Sequence, residues 1–477
     1  MSLDQFRIQI RDPIHGSLHL SRDELALVDH PTFQRLRSIK QLGLADLAFP
    51  GATHTRYAHS LGVMHVASRM FENLAKPFGL EAAEYNRLLG TLRLAALFHD
   101  IGHPPLSHTS EAFMPPVSAL ELDAWTVGPK DRRANHEDYT LKILTDSELT
   151  RVIEARFAAL GVTPEDIATL IAGRRPHGSN RSTFAIDGRD WMPVLRQCVS
   201  SELDADRMDY LLRDSYYAGV PYGRYDIEWL LQNLAPVERH DQVCLGLNAR
   251  ASFGFEDFLL SRYHMFMSVY FHHIPIGYEV MLKRFRDESP NALVVPSNVE
   301  GYLEFDDVFL ISLLRRVKSP WARRIVERRA FRMLIEAKAV ENPNPSPAPN
   351  PIPSPGPTPA QAGEASGARV EARAHTEDHR YAPPDIERVE HALTARGIAS
   401  ISHSVKGRLS KYFSPGATTL PGAAPELSPF IIEGSRAIPV EDYVPLYRRY
   451  AGAIHLRRLY VDPERLAEAR SIVKDLS

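Results

Sequence analysis

Cysteine is nearly absent from this chain: its 477 residues include two, Cys198 and Cys244, far apart. That excludes a disulfide framework and a cysteine-ligated zinc site, and it fits a reducing compartment. Long apolar runs are also missing. No stretch reaches the roughly 20 residues that cross a bilayer, and Met1–Arg11 mixes charged with apolar residues, unlike a secretory signal. The expected location is cytoplasmic, with no membrane partner. Charge of either sign is not in excess, with 56 Lys and Arg against 59 Asp and Glu. General affinity for nucleic acid is therefore not indicated, although a local basic pocket stays open. The apolar fraction, 44%, is ordinary for a globular protein, and the length supports a large core plus a smaller unit.

Periodicity predicts a mainly α protein. Helical patterns run over Asp29–Leu42, Arg56–Phe78, Glu81–Ile101, Glu137–Ile143, Pro164–Ala172, Pro193–Tyr217, Phe253–Phe285 and Phe305–Glu341. The first has Pro31 near its start and Gly43 just past its end. The second is apolar on more than one side, which predicts burial and puts His59 in an interior. The third stops where Gly102 and Pro104-Pro105 forbid continuation. From Pro343 to Pro359 every second residue is proline, and Ala, Gly and charged residues continue to about Tyr381. This composition predicts an extended, disordered linker. The expected division is a core over 1–341, a linker or insertion over 342–384, and a small α+β region over 385–477 packed on the core. That last region has strands at Ile438–Val444 and Arg457–Val461 and a closing helix at Pro463–Leu476.

The chemistry concentrates in Phe98-His99-Asp100-Ile101-Gly102-His103, with Arg56-Tyr57-Ala58-His59 before it and Asp204-Ala205-Asp206 after it. Neutral imidazoles and ionised carboxylates suit a divalent, hydrolytic cation and need no thiolate. Adjacent His99 and Asp100 diverge in mid-helix but can turn to one ion at a helix end. Alone they read as a helix-end histidine beside a paired aspartate. With His59 and Asp206 on other helices, one metal satisfies all four polar groups in an apolar setting. His103, His108 and His136 are titratable near neutrality, so each can serve as a general acid or as a cation beside phosphate. For His108 and His136 an ordinary surface role is an equal alternative. Glu111 and Glu137 stand where either can orient an imidazole or a water. Asp206, Tyr210 and Asp214 share a helix face at i, i+4 spacing, a stripe suited to metal, sugar ring and sugar hydroxyl. Arg56, Arg207 and Arg262 can pair with phosphates, though surface ion pairs are the commoner fate of arginine. These residue types point to phosphate-ester hydrolysis.

An ordered series then carries a resemblance: Asp12-Pro13-Ile14-His15-Gly16, Phe33-Gln34-Arg35-Leu36-Arg37, Lys40-Gln41-Leu42-Gly43, Phe49-Pro50-Gly51-Ala52, Arg56 to Val63, His99 to His103, Pro105 to His108, Asn135-His136-Glu137, and Asp204 to Tyr210. Over roughly its first two-thirds the chain resembles HD-domain phosphohydrolases, specifically the deoxynucleoside triphosphate triphosphohydrolases of the SAM-and-HD-domain type, here without a SAM domain. The resemblance implies an all-helical core and His59, His99, Asp100 and Asp206 as metal ligands. It places His103, His108 and His136 on the phosphates, with Glu111 standing where an aspartate is usual. It places Arg56, Arg207 and Arg262 on the triphosphate, with Arg207 where a lysine is usual. Gln41, Tyr210 and Asp214 would meet the deoxyribose 3′-hydroxyl, and Leu42 and Tyr270 would form the wall that excludes a 2′-hydroxyl. Asp29, Gln34 and Arg37 match positions that read guanine at an allosteric site, where Arg11 replaces the usual asparagine. The alternative for these is a helix that simply packs.

The expected activity is metal-dependent cleavage of dNTPs to deoxynucleoside and triphosphate, in a homo-oligomer activated by a guanine nucleotide. The divalent metal's identity (Mg, Mn, Fe or similar) stays open. A phosphodiesterase or nucleotidase acting on another phosphate ester, and a non-catalytic nucleotide sensor, are the alternatives.

Overall fold

Helix α3 (Arg56–Ala75) organises the molecule, because nearly every side of it is covered. Val63, Val66, Ala67 and Met70 are fully buried, and so is His59. The computed structural model describes residues 8–123, 125, 132–174, 181–340, 385–408, 428–450 and 453–476. Ahead of α3 come an antiparallel hairpin, β1 (Ile8–Asp12) and β2 (Gly16–Leu20), and two short helices, α1 (Arg22–Val28) and α2 (Pro31–Gln34). Ser21 and Glu24 close a capping box at the start of α1. Against α3 pack α4 (Ala82–Phe98), α8 (Met192–Val199) and α9 (Ala205–Ala218), and α5 (His136–Thr145), α6 (Glu148–Phe157) and α7 (Pro164–Ala172) pack on one another, with α7 against α4. Then follow α10 (Ile227–Gln232), α11 (Ser252–Met265) and α12 (His273–Glu288), and α13 (Val299–Leu303), α14 (Asp307–Arg316) and α15 (Pro320–Val326). The fold is mainly α.

Two sheets flank the helices. Strands β3 (Ala185–Ile186), β4 (Arg189–Asp190), β5 (Leu234–Arg239) and β6 (Gln242–Asn248) join β9 (Phe430–Glu433) and β10 (Arg436–Pro439), with β6 and β9 parallel. Strand β7 (Arg332–Val340) pairs antiparallel with β11 (Ala453–Val461), which pairs on its other edge with β8 (Ser400–Arg408). Helices α16 (Ile386–Ala395) and α17 (Leu466–Leu476) cover this second sheet through Val389, Leu393 and Ile472. Strands from before and after residues 341–384 thus share both sheets. The proline-rich stretch itself lies outside the described residues.

Several expected elements differ. Helix Asp29–Leu42 does not form as one piece: α2 gives way to a 3-10 turn at Arg35–Ser38, and Asp29 caps the C-terminus of α1. The backbone there pairs with the loop before α3, Gln41 N donating to His54 O at 3.0 Å and Arg56 N to Ile39 O at 3.0 Å. Tertiary hydrogen bonds override helical propensity. The Pro193–Tyr217 pattern breaks at Ser200–Asp204, because the Asp204 carboxylate accepts from Ser201 N and Arg207 N and starts a new helix. Phe253–Phe285 is interrupted by a π turn at Phe266–Tyr270. The C-terminal part of Phe305–Glu341 is the strand β7, while the strand expected to reach Val444 stops at Pro439 and becomes a helical turn.

Candidate metal and phosphate site

The centre is assembled from three helices. His59 lies in the first turn of α3, His99 caps the end of α4, and Asp206 lies in the first turn of α9. Their ligand-type atoms all fall within 4.8 Å of one another. His59 Nε2 is 3.0 Å from Asp206 Oδ1 and 3.6 Å from Asp100 Oδ2; His99 Nε2 is 3.5 Å from Asp100 Oδ1 and 3.6 Å from Asp206 Oδ1. Each imidazole has its other nitrogen committed. His59 Nδ1 faces Asp209 Oδ2 at 2.8 Å, and His99 Nδ1 faces Ala96 O at 2.7 Å. Both Nε2 atoms are buried without an aligned hydrogen-bond partner. Buried polar atoms rarely stay unsatisfied. A cation about 2.1 Å from two ligands at right angles sets them about 3 Å apart, close to the observed spacings. The residues therefore fit a divalent metal.

The carboxylates gather negative charge at this point, which favours a cation there, whether a proton or a metal. Burial works against protonation of His59, but Asp206 and Asp209 outweigh it and raise its pKa to about 10. Burial likewise opposes ionisation of Asp206, yet His59 and His99 hold it well below the usual carboxylate range. Such a concentration of opposed ionisable groups marks functional sites.

A second cluster adjoins the first. The rings of His103, His108 and His136 lie 3.9 to 5.1 Å apart between centroids. Glu111 Oε1 sits 2.5 Å from His136 Nδ1 and 3.4 Å from His108 Nδ1. Burial raises the Glu111 carboxyl, but both imidazoles outweigh it and keep Glu111 ionised. His103 is held neutral by burial and by Arg56, and its Nε2 lies 3.5 Å from Asp100 Oδ1, joining the two clusters. Gly102 permits this closeness, because a Cβ there would fall 2.3 Å from His136 O. Glu137, by contrast, is exposed on the first turn of α5 and takes no part in the hydrogen bonds between Glu111 and the imidazoles.

The three arginines are buried, each with a protein partner. Arg56 donates to Asp100 and, at 2.8 Å, to Ser107; Arg207 donates to Asp204; Arg262 donates to Glu202 at 2.8 Å. Arg207 and Arg262 each retain a buried Nε without an acceptor among the described residues. Both act electrostatically on Tyr210, as does Asp206. Asp214 accepts from Tyr270 Oη at 2.8 Å and meets His54 Nε2 at 2.7 Å, and His54 stacks on Tyr217. The π turn delivers Tyr270 to this position. Gln41 is buried with an unpartnered Oε1, and Leu42 is half-buried against the core.

Sequence reasoning missed the groups that hold these residues. Asp209 is the clearest: fully buried, it takes His15, His59 and both arms of Arg213. Its i+3 spacing from Asp206, with Arg213 at i+4 beyond it, was the available signal. His54 and Ser107 gave none beyond their neighbours in the chain. The residues matched to an allosteric site are spread over three local elements, not one helix. Arg37 Nε donates to Gln34 Oε1 at 2.7 Å and covers the Tyr57 ring at 3.5 Å, while Gln34 also donates to Val28 O. Asp29 and Arg11 are exposed, Arg11 reaching Ser17.

Comparison with known proteins accords with this geometry. Residues 56–214 match the HD domain. An uncharacterized protein of Methanocaldococcus jannaschii is 32% identical over 328 residues, 68% of this chain and 59% of that protein. The deoxynucleoside triphosphate triphosphohydrolase SAMHD1 of Homo sapiens is 32% identical over 220 residues, 44% of this chain and 33% of its own length. The chain thus spans little more than half, or less, of these curated relatives. The crystal structure of a hypothetical protein from Aquifex aeolicus shares the fold with a TM-score of 0.67 at 24% identity, covering 98% of this chain and 99% of that one. Among the described residues no helix is long and apolar enough to cross a membrane. A His-Asp centre on this helical frame, matched in sequence from Arg56 to Asp214, places the chain in the HD-domain family, among relatives that include the SAMHD1 triphosphohydrolases.

Proposed function

We propose that the chain is a metal-dependent phosphohydrolase that cleaves deoxynucleoside triphosphates to deoxynucleoside and triphosphate. The observation that carries this is the pair of buried Nε2 atoms of His59 and His99 that face Asp206 without an aligned hydrogen-bond partner, near Arg207, Arg262, Tyr210 and Tyr270. His59, His99, Asp100 and Asp206 would hold the metal, which supplies an activated water and charge to offset the phosphates. Arg207 and Arg262 would point their unpartnered Nε–H groups at phosphate oxygens. Arg56, tied to Asp100 and Ser107, would fix the ligand carboxylate. His108 and His136, each beside the Glu111 carboxylate, would carry the proton that the leaving 5′-oxygen requires. Gln41, Tyr210 and Asp214 would receive the sugar, with Leu42 and Tyr270 closing the space a 2′-hydroxyl needs.

A regulatory reading accompanies it. Gln34 and Arg37, packed against Tyr57 half a turn before His59 on α3, would with Asp29 and Arg11 take a guanine nucleotide in a homo-oligomer. The test of the main proposal is incubation with each dNTP and NTP, singly and mixed, with Mg²⁺, Mn²⁺ or Fe²⁺, followed by chromatography. Tripolyphosphate is the expected product; release of monophosphate or pyrophosphate, or no hydrolysis with any metal, overturns it.

A further inference from the structure

The N-terminal hairpin reaches the candidate metal centre through one carboxylate. Asp12, at the end of β1, folds the turn by accepting from Ile14 N and His15 N at 2.9 Å each. Its other oxygen accepts from Arg213 Nη1 at 2.8 Å. His15 in that turn puts Nε2 2.7 Å from Asp209 Oδ1. Asp209 Oδ2 faces His59 Nδ1 at 2.8 Å, and Arg213 grips both oxygens of Asp209 at 2.8 Å. Every group in this chain is buried, and Asp209 and Arg213 are fully so. The contact of this network with the candidate ligands is the one from Asp209 to His59.

We infer that Asp209, held by His15 and Asp12 of the hairpin turn, is a positioning residue that fixes the tautomer and ring orientation of His59, making the hairpin part of the metal centre. The inference rests on the reading of His59 as a ligand. A carboxylate accepting Nδ1–H leaves the Nε2 lone pair free for a cation, and such outer partners typically change metal affinity about 10–100-fold when removed. Arg213 and His15 matter because together they hold both oxygens of Asp209 at 2.7 to 2.8 Å, and so fix the carboxylate that orients the ring. Gly62 provides the space, since a Cβ there would lie 1.9 Å from Asp209 Oδ1.

The experiment uses the full chain, stripped of metal and titrated with Mn²⁺ by electron paramagnetic resonance, alongside thermal melting and crystallography of the Zn²⁺-loaded protein. Asp209→Asn is expected to weaken Mn²⁺ about 10–100-fold and to rotate the His59 ring. His15→Ala, which leaves Arg213 on Asp209, is expected to fold normally and weaken Mn²⁺ by a smaller factor, and His15→Gln, with a donor near the Nε2 position, to restore it. If Asp209→Asn does not fold, the His15 pair carries the test. Wild-type affinity in His15→Ala, or the same loss in His15→Gln as in His15→Ala, overturns the inference while leaving the metal centre intact. A wild-type protein that binds no Mn²⁺ at all overturns the metal reading instead, and with it this inference, a result no variant could mimic.

Discussion

Replacing Gly62 by alanine should destabilise the protein although alanine is the better helix former. The site is inside α3, where the exchange alone gains about 1 kcal/mol. The structure reverses the sign. The new Cβ would fall 1.9 Å from Asp209 Oδ1 and 2.5 Å from Arg213 Nη2, far inside the roughly 3.5 Å of a comfortable non-bonded contact. Asp209 must move by more than an ångström, and its contacts to His15, His59 and Arg213 are all 2.7 to 2.8 Å long. Disrupting a fully buried ion pair costs about 3–5 kcal/mol. Set against the helical gain, the expected net loss is about 2–4 kcal/mol. Urea denaturation of the metal-free protein, followed by circular dichroism, measures it, and the midpoint should fall. A midpoint equal to or above wild type would show that α3 and α9 separate easily, and the account of Asp209 as a fixed hub would be wrong.

Asp206→Ala should abolish metal stoichiometry and turnover while leaving the denaturation midpoint close to wild type, because the Asp206 side chain is 32% exposed; retained metal by mass spectrometry would remove it from the ligand set. ATP should turn over at least about 100-fold more slowly than dATP, given the wall of Leu42 and Tyr270, the latter held by Asp214, and equal rates would refute the sugar assignment. GTP or dGTP should raise dATP turnover and shift the sedimentation profile together; no change in either would leave Asp29, Gln34 and Arg37 as structural residues. Burial, aided by His15, Arg69 and Arg93, lowers His65 to about 4. Below about 6.5 the unfolded chain takes up a proton that the folded one refuses, so stability is full above that pH and falls as pH drops towards 4. His65→Gln should flatten this acid limb, and an unchanged limb would assign it to other groups.

The mainly α class was legible because α3 and α4 carry long apolar patterns with clear stops. The three-way division of the chain was harder to read, since β7 reads as helix until its partner β11 is in view. Glu336 and Lys338 alternate with apolar neighbours over too short a span to declare a period. The candidate ligands could be named because histidine and aspartate are conspicuous where an apolar helix begins or ends, as at His59, His99 and Asp206. What holds them could not. His15 is 194 residues from Asp209, and His54 is 160 from Asp214, and no local pattern encodes such pairings. The break at Ser200–Asp204 was encoded, by serines and an aspartate that prefer a cap to a helix interior, and a closer reading of those residues would have found it.

The pairing of β7 with β11 also has a consequence for biosynthesis. Ile335 waits for Leu459 and Glu336 for Arg458, partners more than a hundred residues later in the chain. At typical ribosomal speeds of about 5–20 residues per second, that is a delay on the order of ten seconds. During it the helices around α3 can already pack, while β7 stands as an unpaired edge with Leu334 and Ile335 uncovered. Such an edge is a template for joining other chains. The nascent protein is therefore most exposed to aggregation late in translation, and a ribosome-stalled or truncated product ending before β11 should need a chaperone that the finished chain does not.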